Sequence, residues 1–600
     1  MAGRTEHDVI ILGGGVNGAG IARDCALRGM RVLLVERNDL AKGASGANTG
    51  MIHGGIRYLR YDVHTTKMAC TDSGFIQKIA PHLLFRIPFI VPVAKPPPGA
   101  KFKTLFDTIY LEFAEVFFEA YDQYQPLKRG KPHTRLSREE ALALEPGLNP
   151  EILGAVTMDE WGIDPMRLTV ENAIDAHENG AIVQTYTELV AFEKDASGAV
   201  CGVVVEDRRS GARERHSAPV VVNATGAWGP RTAALAGAWY RLRPGKGVHI
   251  VYPQRISNFG LVMDGADGRQ MFLMPHENGT IVGTTDDDYY GDLDNPRATE
   301  DEVKYILQGA RRVFPAIDKH RMSRTYVGIR PTLWAWAKNE DRLSREHEIY
   351  DHASQGVPGL LSVCGGKLAA YRQLAEEVSN VVAAKVGNRA ACTTWQRPLP
   401  GAEDKVDVEG WTRSLTARSR LAVARMAFRH GTRTARMLEA IAADPRQGAH
   451  TCRCEPVCEA EVRYAAKAEL STRLVDVRRR TRLGMGACGG TRCLARGSQL
   501  LAEERGLSAA EQLVELGDAM TARFVGRRPV LEGANLATEE LNQATHFLAA
   551  NFGPFVRAAR AQVPWSTSVP APVPADSPTA RGRAQRRADV VVPPPVPDRA

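Results

Sequence analysis

Near its start the chain sets compact apolar runs between amphipathic stretches. Asp8 to Leu12 predicts a buried strand, Gly18 to Arg28 a helix, and Arg31 to Glu36 a second buried strand. A solid apolar run reads as a strand covered on both faces, so this opening is a βαβ unit of a parallel sheet. Strand and helix signals keep alternating to about residue 400, which predicts the α/β fold class with an interleaved α+β substrate domain. Ala218 to Asn223 and Leu360 to Cys364 are further buried-strand candidates that each run into small residues. Thr394 to Asp407, with Pro398, Pro400 and Gly401, reads as a boundary, so residues 1–400 form the first expected domain. After it are expected a helical connector over 401–446, a cysteine-bearing segment over 447–500, a helical region over 501–564 and a tail over 565–600. The tail is rich in Pro, Ala, Ser and Arg without apolar periodicity, and disorder is expected there.

One amphipathic stretch is unusually aromatic. Within Lys101 to Asp122, Phe102, Leu105, Phe106, Ile109, Phe113, Val116 and Phe117 recur at helical spacing. A helix lying in a membrane surface would carry such a stripe. Glu112, Glu115, Glu119 and Asp122 would then face anionic lipid, so contact with the core or with another polypeptide of an assembly is the stronger reading.

Composition narrows the class. The 600 residues hold 77 Lys and Arg against 69 Asp and Glu, with 44% hydrophobic and 24% charged residues. That length suits several domains and excludes a small stapled scaffold, and a formal charge of +8 gives no footing for nucleic acid. No uncharged apolar run reaches about 18 residues and Met1 to His7 has no apolar leader, so neither a transmembrane helix nor a secretory signal is expected. The expected location is cytoplasmic, with peripheral attachment to the inner face of the cell membrane left open.

Candidate chemistry begins at the end of the first strand. Gly13-Gly14-Gly15-Val16-Asn17-Gly18 satisfies GxGxxG between a strand and a helix, and Glu36, followed by Arg37, ends the next strand. Gly13 permits a tight turn, Gly15 lets backbone approach a pyrophosphate, Gly18 allows close packing, and Glu36 can accept from a ribose hydroxyl. This is a Rossmann-type dinucleotide site. Two small-residue stretches favour FAD over NAD: Ala44 to Thr49, which includes Ser45, and Val221 to Gly226, which brings Ala224, Thr225 and Gly226.

At this point the sequence resembles the FAD-dependent glycerol-3-phosphate dehydrogenases. The resemblance rests on Ile52-His53-Gly54-Gly55-Ile56-Arg57-Tyr58-Leu59, Asp164 to Leu168, Gly283 to Asp286, Gly328 to Pro331, and Gly365-Gly366-Lys367-Leu368 with Tyr371-Arg372. It implies non-covalent FAD, with His53, Gly366, Lys367 and Leu368 joining the cofactor site, and oxidation of sn-glycerol 3-phosphate to dihydroxyacetone phosphate. A phosphate dianion calls for cations, and Arg57 with Tyr58, Arg330 and Lys367 are the candidates. Loss of the hydroxyl proton calls for a base of near-neutral pKa, for which His249 in Lys246-Gly247-Val248-His249-Ile250 is preferred over His53. His249 and Arg330 are thus the catalytic candidates.

Cys452-x-Cys454 and Cys488-x4-Cys493 supply four thiols in two pairs. This resembles the bacterioferritin-associated-ferredoxin-like domain, which implies a 2Fe-2S cluster on Cys452, Cys454, Cys488 and Cys493. A structural zinc and empty reduced thiols remain open alternatives. Arg478, Arg479, Arg480 and Arg482 are expected to supply the positive charge an anionic cluster needs, and the glycines of Gly484 to Gly490 its close N–H groups. Cys458 reads as a spare; Cys25, Cys70, Cys201, Cys364 and Cys392 read as buried apolar residues. With this segment added, the family resemblance is nearest to the catalytic polypeptides of the anaerobic enzymes, which implies electron-transfer subunits leading to membrane quinone. The IHGGIRYL wording is nearer to the aerobic enzymes, and the tail fits neither. An oxidase of amino or 2-hydroxy acids, and a binding module with a vestigial flavin, are the competing readings.

Overall fold

The computed structural model describes residues 5–56, 59, 62–94, 103–265, 267–336 and 346–545. Arg57, Tyr58, Lys101, Phe102 and the 565–600 tail therefore lie outside the described residues.

The βαβ opening forms as its pattern dictates: β1 (Val9–Leu12), α1 (Val16–Leu27) and β2 (Val32–Glu36). They sit in a six-stranded sheet ordered His347–Asp351, Leu360–Gly365, Val220–Asn223, β1, β2, Ile182–Thr185. Every pairing is parallel except that of the His347–Asp351 edge. Both faces of β1 are covered. Val9 and Ile11 pack with Ala19 and Ala22 of α1 and with Ile174 and Val378 of two further helices. Ile10 and Leu12 pack with Val203 and Val205 of a four-stranded sheet. That double cover is why the run is solidly apolar rather than alternating.

A second, nine-stranded sheet holds the interleaved domain. Two of its strands matter most: β3 (Leu242–Tyr252) and β4 (Arg324–Leu333), antiparallel partners with His249 opposite Tyr326 and Gly245 opposite Arg330. Here the period is two. Val248 and Ile250 enter a core with Val303 and Ile306 of the Glu300–Val313 helix, while Gly245, Gly247 and His249 occupy the other face.

The Lys103–Asp122 helix forms, and its described side chains begin at Glu112. Phe118 and Tyr121 are buried whereas Phe113 is 71% exposed and Val116 63% exposed. Glu112 and Glu115 pair with Arg135. No helix among the described residues is long and apolar enough to cross a membrane.

Between Val386 and Val408 the chain has neither helix nor strand. It is nonetheless pinned: Arg23 donates to the Arg397 carbonyl at 2.6 Å, and the Leu399 N–H to the Ile79 carbonyl at 2.8 Å. The helices that follow bury a core of their own around Val462, Leu474, Val477, Leu494 and Leu500, which also takes in Cys452 and Cys493.

Candidate functional site

The C-terminal ends of the parallel strands open into a cavity of about 590 Å³. Gly13, Gly15, Val16 and Asn17 line one end of it, with Glu36, Arg37 and Ser45 beside them. Gly13 takes φ +109°, and a Cβ there would lie 2.6 Å from the Ala224 carbonyl oxygen. Gly14 and Gly18 shape the turn from outside. A Cβ on Gly18 would meet the Gly13 oxygen at 1.9 Å, and one on Gly14 would meet Glu36 at 2.9 Å. The Glu36 carboxylate accepts from the Gly14 N–H at 2.6 Å and the Asn38 N–H at 2.7 Å. Burial pushes its carboxyl up despite those two bonds. Ser45 accepts from the Val16 N–H at 2.8 Å, tying the small-residue stretch to the start of α1. Arg37 sits at the rim against Asp294, Glu188 and Trp228.

The other expected lining residues come from separate elements. Ala224, Thr225 and Gly226 follow the Val220–Asn223 strand, with Gly226 at φ +60°. Gly366, Lys367 and Leu368 follow the Leu360–Gly365 strand, with Gly366 at φ +86°. His53 lines the cavity with Phe272 6.3 Å away, ring to ring.

The substrate candidates His249, Arg330 and Lys367 line the same space. The Arg330 guanidinium donates to the Asp286 carboxylate at 2.9 Å, the Thr285 carbonyl at 3.2 Å and the Thr284 hydroxyl at 3.2 Å. Gly247 gives it room, since a Cβ there would lie 2.8 Å from an Arg330 nitrogen. His249 is stacked on Tyr326 at 4.6 Å, its Nε2 3.2 Å from the Thr49 hydroxyl. Its Nδ1 is buried without a hydrogen-bond partner among the described residues. Burial, reinforced by the Arg330 charge, pushes its pKa down to about 3. The ring is therefore neutral, as a proton acceptor must be, but its pKa is far below the near-neutral value expected of a base. Sequence reasoning missed Tyr326, and it reached Thr49 and Asp286 only as members of longer motifs without assigning them a contact. The signal for Tyr326 was available: Arg324, Tyr326, Gly328 and Arg330 alternate along one strand face.

The four cysteines stand as two pairs. Cys454 and Cys488 are 3.8 Å apart, sulfur to sulfur. Cys493 donates to Cys452, and that bond leads the causes that bring Cys452 down to about 6. Cys488 is also lowered: burial opposes this, but the N–H groups of Gly490 and Arg492, with the Cys454 and Thr491 side chains, together outweigh it. Gly486 lets its loop approach, since a Cβ there would lie 2.4 Å from that of Cys454. Cys458 lies apart, packed with Met426 and Met437. Among the described residues, no group of three or more His, Cys, Asp or Glu side chains is gathered as a single-ion site. The expected arginines divide. Arg479 and Arg480 bind Asp39, and Arg482 binds Glu277 and Glu455, so their charge is already matched. Among the described residues, Arg478 and, unexpectedly, Arg324 donate to carbonyls rather than carboxylates, those of Leu483 and Met485 respectively.

Comparison with known proteins follows this geometry. Residues 8–372 match the FAD dependent oxidoreductase family, and residues 392–512 match the C-terminal domain of alpha-glycerophosphate oxidase. One polypeptide of the anaerobic glycerol-3-phosphate dehydrogenase of Escherichia coli K12 is 33% identical over 544 residues, covering 90% of this chain and 96% of the relative. The aerobic glycerol-3-phosphate dehydrogenase of Staphylococcus aureus is 32% identical over 390 residues, 64% of this chain and 68% of the relative. Among solved structures, the glycerol-3-phosphate dehydrogenase from Bacillus halodurans complexed with FAD superposes with TM-score 0.67 at 25% identity, covering 88% of this chain and 96% of that one. The chain belongs to the family of FAD-dependent oxidoreductases that includes these dehydrogenases.

Proposed function

We propose that this chain oxidises sn-glycerol 3-phosphate to dihydroxyacetone phosphate and hands the electrons, through a two-iron two-sulfur centre, to partner subunits that lead to membrane quinone. The observation that carries the first half is one cavity holding both a dinucleotide turn and a cationic end with a neutral histidine. The residues fit FAD: the positive-φ Gly13 turn, the Val16 end of α1 and the Glu36 carboxylate form a cradle that a Cβ on Gly13 or Gly18 would block. FAD bound there would supply a two-electron acceptor for the hydride on carbon 2.

The chain's own residues do the rest. Arg330, turned toward the cavity by Asp286 and Thr284, and Lys367 attract the phosphate dianion. Burial is the larger cause of the depressed His249 and the Arg330 charge the smaller; the dianion offsets the smaller one, so substrate binding raises the basicity of the group that takes the hydroxyl proton. The Thr49 hydroxyl and the Tyr326 ring hold that imidazole in place.

The second half is supported by the paired thiols. A mononuclear zinc gathers four ligands around one point, whereas a two-iron centre takes two thiolates on each iron, which is the Cys452/Cys493 and Cys454/Cys488 arrangement. The match to the E. coli anaerobic enzyme covers so much of this chain that it must cross all four cysteines. In this reading residues 1–400 form the flavin unit and 447–500 the cluster segment, on a cytoplasmic protein that meets the membrane through its partners. An amino- or 2-hydroxy-acid oxidase is the weaker reading, since it would have no use for the thiol pairs.

The test is an absorption spectrum of the purified chain before and after anaerobic glycerol 3-phosphate. Bleaching of the flavin band is expected, with a cluster band that survives removal of flavin by dialysis at neutral pH. Bleaching by an amino acid, and none by glycerol 3-phosphate, would install the oxidase reading.

A further inference from the structure

We propose that Arg324, carried on the strand that lines the substrate cavity, is the residue that compensates the charge of the cysteine centre and sets its reduction potential. The inference rests on the two-iron reading above.

A two-iron cluster with four thiolates is anionic and becomes more so on reduction, and a buried anion needs nearby cations or donors. The arginines around the thiols are largely committed elsewhere: Arg479 and Arg480 to Asp39, Arg482 to Glu277 and Glu455, Arg523 to Glu539. Two half-buried guanidiniums remain without a carboxylate within ion-pair distance among the described residues. Arg478 donates to the Leu483 carbonyl at 3.1 Å, and Arg324 donates to the Met485 carbonyl at 2.6 Å, inside the Gly484-Met485-Gly486 loop that leads into Cys488. A half-buried guanidinium with no carboxylate beside it is free to answer another anion, and the thiolates that follow the Met485 loop are the anions at hand. Loss of water around them is the main cause that brings both arginines down to about 10, with repulsion from Arg482 added at Arg324 and from Arg324 at Arg478.

Arg324 does not belong to the cysteine segment at all. It starts β4, on the same face as Tyr326, which stacks on His249, as Gly328, which abuts Ala47, and as Arg330 at the cavity. One strand face therefore holds the cysteine loop at one end and the substrate cation about 20 Å away at the other, by a rise of about 3.3 Å per residue. Arg324 is a positioning residue in this scheme and touches no reacting atom.

The full-length chain, purified anaerobically, tests this with Arg324→Gln and Arg324→Lys. Gln keeps a donor for the Met485 carbonyl without the charge; Lys keeps the charge. Iron and acid-labile sulfide per chain, flavin per chain, and the midpoint potential of the centre by spin-resonance-monitored titration are the readouts. The expected result is a lower potential or a loss of iron in Arg324→Gln with flavin unchanged, and a potential near the natural one in Arg324→Lys. Natural potential and iron in Arg324→Gln, or a Lys variant as shifted as the Gln variant, would overturn the proposal. Natural protein shown to hold zinc, or no metal, would overturn the two-iron reading and this inference with it, so the two failures are distinguishable.

Discussion

Gly247 leaves so little space that a methyl group there would press on both Thr284 and Arg330. Gly247→Ala is accordingly expected to turn the guanidinium out of the cavity and raise KM for glycerol 3-phosphate with flavin retained. Arg330→Ala removes the charge-assisted donor altogether, which is worth about 1.5–3 kcal/mol, or about 10- to 150-fold in kcat/KM. Natural kcat/KM in both variants would take Arg330 out of substrate binding. A pH effect belongs to the same scale. Burial holds His249 at about 3 and His276 at about 4, against an ordinary value of about 6.5. The unfolded chain takes up protons that the folded chain refuses, so stability is complete above about pH 6.5 and falls as pH drops toward 4. At pH 5 each ring costs up to about 2 kcal/mol. Thermal unfolding midpoints should fall between pH 7 and 5, and His249→Asn should flatten the slope; a midpoint indifferent to pH over that range would count against buried neutral rings.

At the scale of elements, Gly18 is where the α1 backbone meets the turn that it follows, with no space for a Cβ beside the Gly13 oxygen. Gly18→Ala should yield protein with little bound flavin, read from the ratio of flavin to protein absorbance; full occupancy would show that the turn can open. This unit was legible in the sequence because each requirement is local: a strand, three glycines and a terminal acid within thirty residues or so. The start of α1 at Val16 rather than Gly18 was not, since the anchoring Ser45 oxygen arrives from elsewhere in the chain. The nine-stranded sheet was least legible, because β3 and β4 are made neighbours only by tertiary pairing. For the cysteines, spacing disclosed the two motifs, but the Cys452/Cys493 and Cys454/Cys488 partnerships cross between them. The fate of Arg479 and Arg480 was hidden for a related reason: Asp39 is some 440 positions away.

Across the molecule, buried ion pairs fasten the later helices to the flavin-binding region. Arg480 of α2 (Leu474–Thr481) grips Asp39 with both terminal nitrogens, and Asp39 is 1% exposed. Arg167 binds Glu469, whose other neighbour is His430. Burying such charges is costly, and removing one partner strands the other, at about 3–5 kcal/mol. The proline-marked boundary near residue 400 suggests a flavin unit able to fold alone, but these pairs argue otherwise. A chain ended at residue 400 should be insoluble or flavin-poor, because Asp39 would lose Arg479 and Arg480, and Arg167 would keep only Glu171. Soluble, flavin-loaded 1–400 protein would show the interface to be dispensable.

The pairing of β3 with β4 carries a constraint of a different kind, one of parity. From Leu242 opposite Leu333 to Val251 opposite Arg324 the two strands match residue for residue. A slip by a single position would keep much of the ladder yet exchange Arg324, Tyr326 and Arg330 for Thr325, Val327 and Ile329 on the face that the first three share. The strand thus acts as a ruler with alternate graduations. Adding or deleting one residue between Arg324 and Arg330 reverses every mark beyond the edit, whereas a two-residue change restores the faces but shifts one end by about 6.6 Å. Neither edit leaves both ends in place, so the length of this segment is as much a part of the site as its side chains.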